Sequence, residues 1–431
     1  KSLYTRSRAT STQATPERSL LSSNVMPTIQ TEKAMFRKSI LASVLMFLAA
    51  TSEATIEIKP NVGITGTDNQ IFPSHILSMA GNQPMDASEL NDGGDGKVQY
   101  VLESPDGLIG AAIAGDEDAD IELEVLAGQF AQPSKWSGHI SKGVIYQISP
   151  LVEWDYERLN KLSQPVPLTI TFNLYVNGTK RTSKKVIAKL RSINDVPFGA
   201  MANGEFINNS HLFAAFVNEN HPWIDSILKE AIDTGLVNSF SGYQANDPRD
   251  VSQQVFSIWN ILQKRGFKYS SITTSSGHST NIYSQSVRFL DQSITASQAN
   301  CVDGTVLFAS ILKKINIEPI LVMVPGHMFL GFYMDQEKTQ PVFLETTMLG
   351  NSNLKQYETD SSLLGALSSS LGGATQNSVS AKSYMSAMKV ASDRARKEWD
   401  KLIHGEPGYM YLVIQDAREM GISPINYAGT N

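Results

Sequence analysis

The sequence predicts an α+β protein in two parts, an all-β sandwich followed by a mixed α+β domain. Two observations carry that expectation. From Thr55 to about Asp195, short apolar–polar alternations are separated by polar turns, which is strand patterning throughout. Beyond Asp195 helical periodicity takes over, and between Gln298 and Thr347 it yields one strongly apolar helix followed by three strands. With 41% hydrophobic and 18% charged residues the composition is that of an ordinary globular protein, and 431 residues suffice for two or three domains. The net charge of −6 gives no global footprint for nucleic acid, so none is expected as a partner.

Residues 1–34 are polar and aperiodic and are predicted to be disordered, or to precede a true start at Met35. Residues 35–54 read as a secretory signal peptide: Arg37 and Lys38 make a basic head, Ile40 to Ala50 an apolar core, and Ser52 or Ala54 a small-residue cleavage site. That core is too short to span a bilayer, so no integral membrane span is expected and the mature protein is placed in the periplasm or outside the cell.

The sandwich is assigned residues 55–196. Ile121 to Val125 and Val144 to Ile148 alternate, and Leu168 to Val176 meets Lys184 to Leu190 across Asn177-Gly178, a strong hairpin signal. Evenly spaced short strands of this kind suggest an immunoglobulin-like sandwich. Asp116, Glu117, Asp118 and Asp120 lack the glycine and closing glutamate of a calcium-binding loop and read as an acidic turn.

Ser192 to Phe198 reads as a linker, and residues 197–431 as the second domain. Leu212, Phe213, Phe216 and Val217 begin a helix that Pro222 interrupts, with Trp223, Ile227, Leu228 and Ile232 continuing its apolar face. A second helix runs from Pro248 or Val251 to Lys264, with Val255, Ile258, Trp259 and Leu262 inward. Phe267 to Tyr269 reads as a short edge strand, and the Ser/Thr-rich Ser270 to Ser286 as a surface loop. Ser361 to Ser380 is a second such loop, Ala381 to Ile403 a charged surface helix, and Tyr409 to Ile414 a last strand.

Cys301 is the only cysteine in the chain and stands directly before the apolar helix, with Val302, Val306, Ala309, Leu312 and Ile315 on one stripe. Asn300 is a natural N-cap, which puts Cys301 in a first turn whose backbone N–H groups and dipole favour an anion. An unpaired cysteine in an exported protein calls for a reason, and a nucleophile supplies one. Ile317 to Val324 reads as a buried strand, Pro325-Gly326 as a turn, His327 to Met334 as a second strand and Val342 to Thr347 as a third. The even separation of His327 and Glu345 allows a register that sets them directly opposite, with Cβ atoms about 5 Å apart. Nucleophile, base and orienting carboxylate then follow in chain order.

The NCVDGTVLFASIL helix, the VPGHMFLGF turn and strand, and FLETT together resemble the transglutaminase-like superfamily, whose members share a papain-like fold. The resemblance implies a bacterial exported cysteine enzyme with Cys301 as nucleophile, His327 as base and Glu345, where the family usually has aspartate, orienting His327. It implies no cofactor and no metal, and a peptide or protein substrate, cell-wall peptide included. Papain-like enzymes also use a polar side chain upstream of the nucleophile in the oxyanion hole, for which Gln298 and Gln292 are the candidates. The sequence leaves three functions open: hydrolysis of an amide, crosslinking to an amine, and a non-catalytic envelope module that binds or scaffolds a partner.

Overall fold

The computed structural model describes residues 56–64, 66–84, 86–91, 96–202, 204–270, 281–350 and 379–426. The disordered leader and signal peptide expected over 1–54, and the 361–378 part of the expected Ser/Gly-rich loop, lie outside these. The described residues form a mixed α+β protein built on several β-sheets. Among the described residues no helix is long and apolar enough to cross a membrane.

Alternation decides the first half. Strands β1 (Ile56–Val62), β3 (Val98–Leu102), β4 (Ile109–Gly115) and β7 (Ile145–Ser149) make a four-stranded sheet in the order β1-β4-β7-β3. Strands β2 (Gln70–Ile71), β5 (Ala119–Leu126), β6 (Ser134–Ile140), β8 (Val166–Val176) and β9 (Thr179–Leu190) make a five-stranded one, β2-β9-β8-β5-β6. Ile121, Leu123 and Val125 point into a shared core with Ile109, Ile113, Ile170 and Phe172, while Glu122 and Glu124 take the other face of β5, as the period of two requires. Asn177 and Gly178 join β8 to β9 with φ of 48° and 77°, the left-handed pair that a two-residue hairpin turn demands.

The segment from Ser192 to Phe198, expected to be a linker, is not one. It is mostly buried, and the division expected between residues 196 and 197 falls inside strand β10 (Asp195–Ala202). Ile193 and Val196 are committed to the second hydrophobic core, and Arg191 makes a buried ion pair with Asp195 at 2.9 Å while also donating to Gln70 at 2.7 Å. Helix α1 (Pro73–Met79) carries Met79 into the same core, and its Ser74 hydroxyl donates to the Asp195 carbonyl at 2.6 Å.

In the second half β10 pairs with β11 (Glu205–Asn208) and with β13 (Ile282–Ser286), so the end of the expected 270–286 loop is a strand; residues 271–280 lie outside the description. Helix α2 (Pro222–Asp233) starts at the proline and is preceded by a 3-10 turn over Ser210–Phe216. Its expected apolar face is only partly buried: Trp223 and Ile232 are exposed, and the Trp223 ring carries the Arg265 guanidinium 5.7 Å from its centroid instead. Helix α3 (Pro248–Lys264) buries Val255, Ile258, Trp259 and Leu262 as expected, and strand β12 (Lys268–Tyr269) pairs in parallel with β14 (Gln298–Ala299).

Helix α4 (Leu290–Ala296) leads through β14 into helix α5 (Cys301–Lys314). Strands β15 (Pro319–Val324), β16 (His327–Tyr333), β17 (Pro341–Leu344) and β18 (Met410–Val413) form a sheet in the order β17-β16-β15-β18, on which α5 packs. Helix α6 (Val379–His404), expected to be a surface helix, buries Tyr384, Met385, Ala387, Met388, Ala391 and Ala395 against the same sheet and α3. Its charges are spaced so that an apolar stripe remains to dock, and the charge density hid that stripe in the sequence.

Candidate active site

Asn300 caps α5 as its sequence indicates: its side chain accepts from the Asp303 N–H at 2.8 Å, and the Asp303 carboxylate accepts from the Asn300 N–H at 3.3 Å. This reciprocal cap fixes the first turn, and with it Cys301, which is partly exposed. Asp303 does not turn to solvent, being 1% exposed and also accepting from the Arg288 N–H at 2.9 Å. Burial, opposed by those two N–H groups, leaves its pKa above the usual carboxylate range.

His327 is delivered by the turn between β15 and β16. Pro325 and Gly326 close it, Gly326 with φ +75°, and Val324 pairs with His327 directly across it. The register that follows differs from the sequence expectation. Leu330 faces Leu344 and Phe332 faces Val342, and the third strand ends at Leu344 rather than Thr347. Continued by one step, that register would put Glu345 opposite Phe329, so it meets His327 on the diagonal and not directly. The side-chain parity is as expected, and it suffices: Nε2 of His327 lies 2.8 Å from Oε2 of Glu345. Phe329, the residue that register sets opposite Glu345, stacks on the imidazole with centroids 6.2 Å apart.

Glu345 begins a short 3-10 turn (Thr346–Met348) and is 2% exposed. Both its oxygens are occupied. Oε1 accepts from the Thr347 hydroxyl at 2.7 Å and the Thr347 N–H at 3.3 Å, and Oε2 takes Nη1 of Arg394 at 3.0 Å beside the histidine. Burial works against the carboxylate, but His327, Thr347 and Arg394 together outweigh it and hold the pKa below the usual range.

The Cys301 side chain shares the cleft wall with the His327 ring and favours its charged form. With Nε2 given to Glu345, Nδ1 is the nitrogen left for the thiol. Burial disfavours the imidazolium and Arg394 repels it, yet Cys301, the hydrogen bond to Glu345 and the charge of Glu345 prevail, pushing its pKa up to about 9. Cys301, His327 and Glu345 are thus brought together, with His327 hydrogen bonded to Glu345 and beside Cys301 on the cleft wall.

The site opens into a cleft of about 680 Å³ lined by Cys301, Val302, His327 and the Pro325-Gly326 turn. Neither expected amide reaches it. Gln292 accepts from the Phe289 N–H and the Asn194 side chain, both at 3.0 Å, and serves as part of the cap of α4; Gln298 is an exposed residue of β14. The glutamine that does line the cleft with Cys301 is Gln285 of β13. It was missed because the Ser/Thr-rich composition around it reads as loop, although Ile282-Tyr-Ser-Gln-Ser286 has a strand's length. Arg394 was missed as one of several charges on a helix read as solvated. Among the described residues no group of three or more histidine, cysteine or acidic side chains could hold a metal ion.

Neither a scan against protein-family models nor a search of curated proteins gives a match to this chain.

Proposed function

We propose that the protein is a thiol-dependent acyl-transfer enzyme, a cysteine peptidase or amidase acting on protein or cell-wall peptide. The observation that supports it most is Cys301 and His327 side by side on the wall of an open cleft, with His327 hydrogen bonded to Glu345 at 2.8 Å. The reading takes residues 56–190 as an immunoglobulin-like sandwich and the remainder as a transglutaminase-like, papain-like catalytic domain of an exported protein. Chain order and the elements that carry the three residues favour it.

In the proposed cycle His327 takes the proton of the Cys301 thiol as the sulfur attacks the amide carbonyl carbon, a C–S bond forms, and the carbonyl electron pair moves to oxygen. The N–H groups of Cys301 and Val302, which have no intrahelical acceptor in the first turn, receive that oxyanion, with the Gln285 amide as the side-chain donor from the cleft wall. Collapse breaks the C–N bond, and His327 gives its proton to the departing amine. Water then attacks the thioester, His327 takes its proton, a C–O bond forms, the C–S bond breaks and the proton returns to sulfur. Glu345 keeps the imidazole oriented throughout and never leaves it, because Thr347 and Arg394 hold the carboxylate from behind. An amine in place of water would complete a crosslink from the same thioester.

The test is to incubate purified protein with mixed peptides and wall fragments, with and without a primary amine, comparing wild type with Cys301→Ala. Products that appear with wild type and vanish in the variant support the reading, and amine adducts among them mark transfer. A wild type that yields nothing and whose thiol resists iodoacetamide until unfolding sinks it.

A further inference from the structure

Beyond the thiol, the cleft is walled by side chains the proposed chemistry does not use. Phe198, Phe206 and Tyr283, from β10, β11 and β13, form one side. Their rings touch in sequence, Phe198 to Tyr283 at 6.3 Å and Tyr283 to Phe206 at 5.8 Å edge-on, and Phe198 is backed by Phe213, stacked at 5.7 Å. Met323 and Met328 form the other side, on the strands that deliver His327. No aspartate, glutamate, lysine or arginine is among its described lining residues, so the titratable side chains there are Cys301, Tyr283 and His327. At about 680 Å³ the space falls within the range of roughly 300–1,000 Å³ typical of pockets for small ligands.

Resting on the peptidase or amidase reading above, we propose that this cleft is a specificity pocket for a large neutral apolar side chain, aromatic or long aliphatic, flanking the attacked amide of a peptide. The aromatic wall offers edge-to-face contacts, and the two unbranched methionines opposite let the pocket fit side chains of different shape. A lysine side chain there would lose its water without gaining a partner, which costs far more than the fit returns, and an aspartate would meet only the His327 ring, whose Nε2 is already held by Glu345. The wall is built by the β10–β11–β13 sheet and the thiol by α5, so both bound the same opening, and a peptide whose apolar side chain enters it lies against Cys301.

The experiment has two arms that fail separately. In the first, binding of N-acetyl-Ala-X-Ala-amide peptides, with X as Phe, Leu, Asp or Lys, is measured by NMR titration against Cys301→Ala and against Cys301→Ala carrying Phe206→Asp. The expected result is that Phe and Leu peptides bind at least about tenfold more tightly than Asp or Lys, a gap of about 1.4 kcal/mol, and that Phe206→Asp erases the gap while the far-ultraviolet circular dichroism stays unchanged. If Phe206→Asp misfolds, Tyr283→Glu, at an exposed position on the same wall, takes its place. Equal binding of all four peptides, or a gap that survives the added charge, overturns the pocket. In the second arm the wild type is offered the same peptides and cleavage is followed by mass spectrometry. Cleavage with no preference for Phe or Leu overturns the pocket and leaves the enzyme standing. Selective binding without cleavage keeps the pocket and removes the enzyme.

Discussion

Arg394 Nη1 lies 3.0 Å from Oε2 of Glu345, the same oxygen that holds His327 Nε2 at 2.8 Å. One carboxylate atom therefore serves two cations, and the guanidinium favours the ionised Glu345 while repelling the imidazolium. The guanidinium also lies 6.0 Å from the centroid of the Phe329 ring, which keeps it in place. Arg394→Gln should cost about 1–2 kcal/mol in chemical denaturation, toward the low end for a charged hydrogen bond because Arg394 is 35% exposed. It should also lower turnover more than it raises KM, since the arginine acts on the base through Glu345 and not on substrate. A KM rise with kcat unchanged would place Arg394 in substrate binding instead.

The His327 pKa of about 9 sets a pH dependence with a definite sign. The folded value lies above the unfolded one of about 6.5, so the imidazolium stabilises the fold in full below pH ~6.5 and loses that contribution as pH rises through about 9. The size is on the order of 3 kcal/mol. Two-dimensional NMR of the imidazole should show a midpoint near 9, and Cys301→Ala and Glu345→Gln should each lower it, because each removes a partner that favours the charged ring. A midpoint near 6.5 in wild type would mean that the arrangement of Cys301, His327 and Glu345 does not persist in solution.

The site was readable because its signals are local: an N-cap and a lone cysteine before an apolar helix, Pro-Gly before a histidine, and parity along two strands. Parity needs only that the side chains share a face, so a register two residues away from the expected one left the His327–Glu345 contact intact. What could not be read was supplied from a distance. Arg394 reaches Glu345 across 49 residues of sequence, and nothing in its own segment distinguishes it from Arg396 or Lys397, which stay in solvent. Gln285 sits among Ser and Thr residues that read as loop, and the Ser192 to Phe198 stretch mixes polar residues with Ile193 and Val196, its position decided in part by the pairing of Arg191 with Asp195 and Gln70.

Gly304 tests how closely α5 must approach the Glu345 turn. A Cβ there would lie 3.1 Å from Thr346 Oγ1 and 3.3 Å from Thr346 Cβ, tighter than ordinary van der Waals contact. Gly304→Ala gains up to about 1 kcal/mol in helix propensity, which offsets the crowding, so the melting temperature should move little. Gly304→Val adds two methyl groups against the same Thr346 and should cost about 1–3 kcal/mol as overpacking. Both should slow iodoacetamide labelling of Cys301 relative to an exposed model thiol, Val more than Ala, since pushing α5 off the turn separates the thiol from His327. Labelling unchanged in both would show that Cys301 reactivity does not depend on that contact.

The junction between the two halves should resist proteases. Arg191 and Asp195 are 3% and 5% exposed, the pair is completed by Gln70, and Ile193 and Val196 sit in the second core. The last described residues tie back as well: the Ser423 N–H donates to the Ser78 carbonyl and the Asn82 side chain to the Gly421 carbonyl, both at 2.9 Å. Cleavage needs several residues in extended, accessible form, so trypsin should spare Arg191 under native conditions. Asp195→Ala leaves the Arg191 charge buried without its partner, at a cost of about 3–5 kcal/mol, and should open the junction to trypsin at concentrations that leave wild type intact. Ready cutting of the wild type at Arg191 would show the two halves to be joined by an accessible linker after all.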